Sequence, residues 1–233
     1  MNRDLFAEFK VLVTNTLAPT FKGIGFKKSN LNFSRTVNDI VQCVNVQRSQ
    51  WNHTDRVLFT LNLGLYNDEL FRKLKCKTES PKFIREVNCF AWVRSGHLIY
   101  KHDYWYELSS DVSYEQLRTQ LENDINGHII PLFNELNSLN SLIELFRIDF
   151  YSRKFPLIAD IDDVAVMELG FGDYERGKKI IVDMHEEALI PKSVKSATIY
   201  PDGREEVRWS EPQVNEFAIE KYKRIAKTYS IDL

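Results

Sequence analysis

His97, His102 and Asp103 stand within seven positions of one another, and an imidazole beside a carboxylate is the pairing that takes a proton from a substrate or holds a metal ion. The histidines are five apart, which matches neither one face of a helix nor alternate positions of a strand. Loop histidines facing solvent or a nearby hydrogen-bond partner are the expected reading. His185-Glu186-Glu187 has no second histidine four residues on, so the helical zinc-protease pattern is missing. Asp160, Asp162 and Asp163 precede an apolar helical run, where carboxylates complement the positive end of the helix dipole. They lack the glycine and closing glutamate of a calcium loop. Gly170-Phe171-Gly172 has no third glycine in register and follows no strand, which argues against a dinucleotide site. Cys43, Cys76 and Cys89 lack the spacing of a zinc site and are expected to be three free thiols in a reducing compartment. No catalytic residue, cofactor or metal is assigned.

A second set of residues suits recognition rather than reaction. Arg48, Trp51, Arg94, Asp103 and Trp105 flank adjacent predicted strands, and Trp and Arg dominate binding surfaces because they join large contact area to a polar handle. Trp92, Tyr104 and Tyr106 lie nearby, and all these types also fill ordinary cores and rims. The five are the candidate binding residues, expected to share one sheet surface. Their expected ligand is a protein. Thirty-one basic against 33 acidic residues leave a net charge of −2, so attraction to a polyanion would need a local patch. The densest basic stretch, 71–77, adjoins Asp68 and Glu69 and reads as the solvated face of a helix. Nucleic acid is therefore not expected, although Arg35, Arg48, Arg56 and Arg94 on one sheet face would be its route.

Elements that could carry these residues follow from periodicity. Leu5, Phe6, Phe9, Leu12, Val13 and Leu17 recur at helical spacing, so the chain opens with an amphipathic helix that Pro19 disturbs. Asp4 and Glu8 within it are incompatible with a secretory leader, and no run of about 18 apolar residues spans a bilayer; a soluble, cytoplasmic protein is expected. Val57, Phe59, Leu61, Leu63 and Leu65 take every second position and form one face of a strand. Segments 31–37 and 41–48 precede it, joined by a turn at Asn38-Asp39, which makes an antiparallel meander. A helix over 68–77, a strand over 87–93, a turn at Ser95-Gly96 and a strand over 104–108 come next. Ser113 and Gln116 form a capping box for a long helix that Gly127 and Pro131 should kink or split. Beyond 161 the pattern is a helical hairpin with Asp173 as a cap. A β-hairpin turning at Pro201-Asp202-Gly203 follows, then a helix with Val214, Phe217, Ala218, Tyr222, Ile225 and Ala226 inward.

Gly25-Phe26-Lys27-Lys28, Phe33-Ser34-Arg35, Val46-Gln47-Arg48-Ser49 and Phe59-Thr60-Leu61-Asn62-Leu63-Gly64 occur in that order, followed by Cys89, Arg94-Ser95-Gly96-His97-Leu98 and Asp103-Tyr104-Trp105-Tyr106-Glu107-Leu108. Over residues 5–150 this series resembles the bacterial domain-of-unknown-function family DUF4304. The resemblance implies a bacterial, soluble α+β domain and brings no activity with it. The expected fold is α+β: residues 1–150 as an antiparallel sheet of four to five strands covered by helices, and residues 151–233 as a lobe of helical hairpin, β-hairpin and closing helix packed on it. The functional expectation is a non-enzymatic protein-binding module of the immunity or accessory type. Its rival is an enzyme whose site is assembled from distant His, Asp and Arg residues.

Overall fold

Residues 3–75, 79–149 and 158–233 are described by a computed structural model, which divides into two compact units, Met1–Asp163 and Val164–Leu233. Cys76 lies outside the described residues.

The first unit opens with α1 (Leu5–Leu12), whose cap Asp4 accepts a hydrogen bond from the Ala7 amide. The helix widens into a π-helical turn at Val13–Leu17 and resumes as α2 (Ala18–Gly23) with Pro19 in its first turn. Proline lacks an amide hydrogen and crowds the carbonyl four residues back; the wider turn comes just ahead of the point where that conflict would arise. Three strands then pair as an antiparallel ladder with the short β1 (Lys27–Ser29) at its edge: β2 (Asn32–Val37), β3 (Ile40–Arg48) and β4 (Arg56–Tyr66). Asn38 turns the chain between β2 and β3 at φ 51°, a left-handed conformation that Asn tolerates better than most residues.

After α3 (Asp68–Lys75) and a 3-10 turn at Glu86–Asn88, β5 (Ala91–Arg94) pairs with one end of β4. Ser95-Gly96 then begins a short helix, α4 (Ser95–Ile99), where a turn was expected. β6 (Tyr106–Ser109) pairs with the other end of β4. The expected capping box at Ser113 and Gln116 starts α5 (Tyr114–Asp124), which passes through a second π-helical turn, Ile125–Ile129, into α6 (Ile130–Glu135), again with a proline in its first turn. α7 (Leu139–Asp149) and β7 (Ile158–Ala159) complete the unit; β7 pairs with β5 and makes the sheet seven-stranded. The antiparallel meander is as expected, and β1 and β7 extend it.

Register assigns the two faces. Phe59, Leu61 and Leu63 of β4 are opposite Arg48, Val46 and Val44 of β3, and the aliphatic and aromatic members of that face are sealed from solvent. Phe9 meets Phe59 at 5.3 Å between ring centroids, and Phe59 stacks on Tyr106 at 5.4 Å. Phe21 packs on Phe33, and Phe26 on Phe133. Each such side chain contributes about 1.5–3 kcal/mol by leaving water. Two buried polar groups in this layer are matched: Gln42 donates from Nε2 to the Phe133 and Leu136 carbonyls, and Asp124 accepts the Tyr100 and Tyr106 hydroxyls at 2.6 and 2.8 Å.

In the second unit, α8 (Ile161–Phe171) continues from the boundary and α9 (Tyr174–Ala188) is capped by Asp173. Gly177 allows the two helices to close up, because a Cβ there would lie 2.7 Å from Leu169 Cγ. The expected hairpin is β8 (Lys195–Ile199) and β9 (Glu205–Trp209), with Gly203 at φ 83° in its turn. In α10 (Glu216–Thr228) the buried residues are Ile219, Tyr222 and Ala226, whereas Phe217 is 82% exposed and Val214 37%. Tyr222 and Ala226 are buried as expected and Ala218 and Ile225 are half-buried, so the expected stripe holds from residue 218 onward and fails at Val214 and Phe217. Phe217 sits in the first turn beside the cap Asn215.

Candidate functional site

Alternation that buries one face of β4 against helices puts Leu58, Thr60, Asn62, Gly64 and Tyr66 on the other. Gly64 is opposite Cys43 on β3 and Trp92 on β5, while Asn62 is opposite Asn45 and Arg94. At the Gly64 end this second face is covered by the chain around the 3-10 turn. A Cβ at Gly64 would lie 2.6 Å from Cys89 Sγ and 3.5 Å from Glu86 Cα, so glycine is what lets that segment rest on the sheet.

Next to the covered end, amide side chains form a ladder across three strands. Asn62 Nδ2 donates to Gln47 Oε1 at 2.8 Å and to Asn45 Oδ1 at 3.3 Å, and Asn45 Nδ2 donates to Asn32 Oδ1 at 2.9 Å. Arg94 closes the ladder: its Nε donates to Asn62 Oδ1 at 3.4 Å, its Nη2 to Gln47 Oε1 at 3.5 Å and its Nη1 to Asp103 Oδ1 at 2.6 Å. Asp103 also accepts from Trp105 Nε1 at 3.2 Å, and the guanidinium lies 5.1 Å from the centre of the Trp105 ring. Hydrogen bonding from Arg94, then from Trp105, holds the Asp103 carboxyl below its ordinary pKa. With the Asp103 side chain 47% exposed, the ion pair stabilises the fold only slightly. Its geometry matters more than its energy.

That geometry depends on the α4 turn. A Cβ on Gly96 would fall 2.4 Å from Tyr104 N and 2.7 Å from His102 O, so only glycine lets the chain at 102–104 pass this close. Lys101 supports the reversal at φ 66°. His102 turns its Nδ1 to the Tyr100 carbonyl at 2.8 Å, and His97 is exposed. Among the described residues, no group of three or more His, Cys, Asp or Glu could hold a metal ion.

Arg94, Asp103 and Trp105 thus come together as expected. Arg48 and Trp51 do not join them. Arg48 is opposite Phe59 in register, on the helix-covered side, and Trp51 projects 71% exposed from the loop between β3 and β4. The expectation of one surface for all five is corrected to three: the alternation that puts Arg94 on one face puts Arg48 on the other. The arginines of the nucleic-acid route are likewise dispersed. Arg35 donates to Gln42 and the Ile24 carbonyl on the helical side, and Arg56 pairs with Glu107.

The ladder borders a cleft of about 230 Å³ lined by Gln47, Asn62, Glu86, Val87, Cys89, Trp92 and Arg94. Trp92 and Val87 are exposed there at 39% and 71%. Burial raises the Glu86 carboxyl pKa, and burial raises the Cys89 thiol well above its usual value, so Cys89 rests as a thiol and is a poor nucleophile. Asn62, Gln47 and Glu86 escaped the sequence reading, although polar residues interleaved with the apolar stripe of β4 mark a second face that is not wholly apolar. No helix among the described residues is long and apolar enough to cross a membrane.

No curated protein and no solved structure matches the chain. A family model does, over residues 17–135, just over half of the length and all of the ladder, the cleft and the Arg94–Asp103–Trp105 cluster: the chain belongs to the DUF4304 family, a domain of unknown function.

Proposed function

We propose that the chain is a non-enzymatic protein-binding module whose contact surface is the second face of the first-unit sheet, centred on Trp92, Arg94 and Trp105. The size of the cleft carries this reading for the sheet face, which is separate from a larger cleft of about 480 Å³ within the second unit. At about 230 Å³ it falls below the roughly 300–1,000 Å³ usual for small-molecule and cofactor sites, and suits a single inserted side chain. An exposed Trp and Val at its mouth and an amide and guanidinium floor give the apolar contact with nearby polar groups typical of interface anchors. Glu86 makes no ion pair among the described residues and makes the cleft complementary to a basic or amide side chain.

The test uses Trp92, because it is exposed and its loss should spare the core. Wild-type chain and Trp92→Ala are immobilised in parallel against lysate of the source cells. A protein retained by the first and depleted on the second is expected, with its affinity reduced by more than about 1 kcal/mol and the stability of the variant changed by less than about 0.5 kcal/mol. Equal retention of every bound protein by the two chains would remove this face as the docking surface.

A further inference from the structure

We infer that Cys43 and Cys89 form a dithiol site that closes to a disulfide and fastens segment 84–89 to β3 on the second face of the first-unit sheet. Three observations place the two sulfurs together. Cys43 is directly opposite Gly64, so its side chain shares the face on which Gly64 has none. Cys89 fills the space that Gly64 leaves, its Sγ 2.6 Å from where that missing Cβ would be. Both sulfurs also donate to carbonyls of consecutive residues, Cys43 to Ile84 O at 3.7 Å and Cys89 to Arg85 O at 3.6 Å. Both thiols are free. Facing Cys43 Cβ across an antiparallel pair brings the Gly64 side-chain position within about 4.5–5.5 Å of it, which puts Cys89 within the reach a disulfide needs.

Cys89 is only partly buried and lines the cleft, so it is the thiol an oxidant meets, whereas Cys43 is fully buried. A small-molecule disulfide such as oxidised glutathione supplies the oxidation. Deprotonated Cys89 attacks one sulfur of that disulfide, whose S–S bond breaks and releases one thiolate. Deprotonated Cys43 then attacks Cys89 Sγ, forming the protein disulfide and expelling the second glutathione thiolate. The two protein thiols lose two electrons and two protons, and the glutathione disulfide is reduced to two thiols. Burial keeps Cys89 largely protonated, so the first step is slow at neutral pH and faster as pH rises. The cross-link is independent of the binding reading above; only its consequence for a docked partner, a cleft wall tied to the sheet, rests on that reading.

The experiment treats the full chain with oxidised glutathione at neutral pH, quenches by alkylation in denaturant and maps the peptides. A species lighter by two hydrogens, with the Cys43 and Cys89 peptides joined, is expected, and this pairing should make up a larger share of the internal disulfide in the folded chain than in the denatured one, where all three thiols compete. Cys76→Ser should leave this product unchanged, and Cys89→Ser should abolish it. The proposal is overturned by a lasting glutathione adduct on Cys89 without the internal link, by a link through Cys76, or by the same mixture of disulfide pairings in folded and denatured chains. Wild-type chain alone decides among these outcomes, so a variant that fails to fold does not obscure the result.

Discussion

Replacing Gly96 by Ala adds one methyl group at a position where the chain has no room for it. The new Cβ would stand 2.4 Å from Tyr104 N and 2.7 Å from His102 O, against ordinary contacts of 3.4–4 Å. Both neighbours are backbone atoms and cannot rotate away, so segment 102–104 must retreat by about 1 Å. Overpacking of this kind costs about 1–3 kcal/mol. The retreat also draws Asp103 off Arg94 and Trp105, adding up to about 1 kcal/mol for an exposed pair, while Ala recovers up to about 1 kcal/mol of helix propensity in α4. A net loss of about 1–3 kcal/mol is therefore expected. Urea unfolding followed by tryptophan fluorescence measures it, since three of the four tryptophans belong to the first unit. Gly127→Ala is the control, because a Cβ there meets nothing within 4 Å and should be neutral or slightly stabilising. If the two variants unfold at the same denaturant concentration, and Gly96→Ala leaves the native fluorescence unchanged, the steric account of this turn is wrong.

Leu61 is sealed between sheet and helices, and Leu61→Ala should cost about 2–5 kcal/mol by calorimetry or denaturant titration; an unchanged midpoint would mean that the register of β4 is wrong. Burial raises the Tyr100 pKa to about 12 and pushes that of Tyr106 higher still. The unfolded chain ionises these phenols first, so their stabilisation is full below about pH 10 and is lost as pH rises through 12 and beyond; Tyr106→Phe should flatten that alkaline decline, and an identical profile would remove the phenol as its cause. Asp103 behaves oppositely: its lowered folded pKa means that the small contribution of its pair with Arg94 is present above about pH 4 and lost as pH falls through the folded value. Asp103→Asn should remove that acid limb.

Alternation made β4 legible from sequence because five apolar residues at every second position admit only one burial. The same rule identified the buried stripe of α1 from residues three and four apart. It failed for Arg48, since a charged residue at a strand end carries no periodic signal and its face follows from register with Phe59. In α10, Phe217 fitted a helical stripe by spacing alone, yet first-turn residues near a cap need not face inward. The cluster was half legible: Arg94, Asp103 and Trp105 were singled out by type, but their contact depends on a close backbone approach at Gly96 that no propensity predicts. Gly64 was equally silent, because its role is the sulfur occupying its missing side chain.

The two π-helical turns have a further consequence. Each accommodates one residue more than a regular turn, which amounts to an insertion retained inside a helix. An α-helix advances about 100° per residue, so removing one residue from Ile125–Ile129 would regularise the hydrogen bonds while rotating everything downstream by roughly that angle. Leu132 and Phe133, buried beyond the turn, would swing away from the side occupied by Leu117 and Leu121 before it. Pro131 would be carried with them. The irregular turn therefore works as a phase corrector: it keeps two apolar stripes of different register aimed at one sheet, and a helix of better local geometry would be a worse fit to the fold.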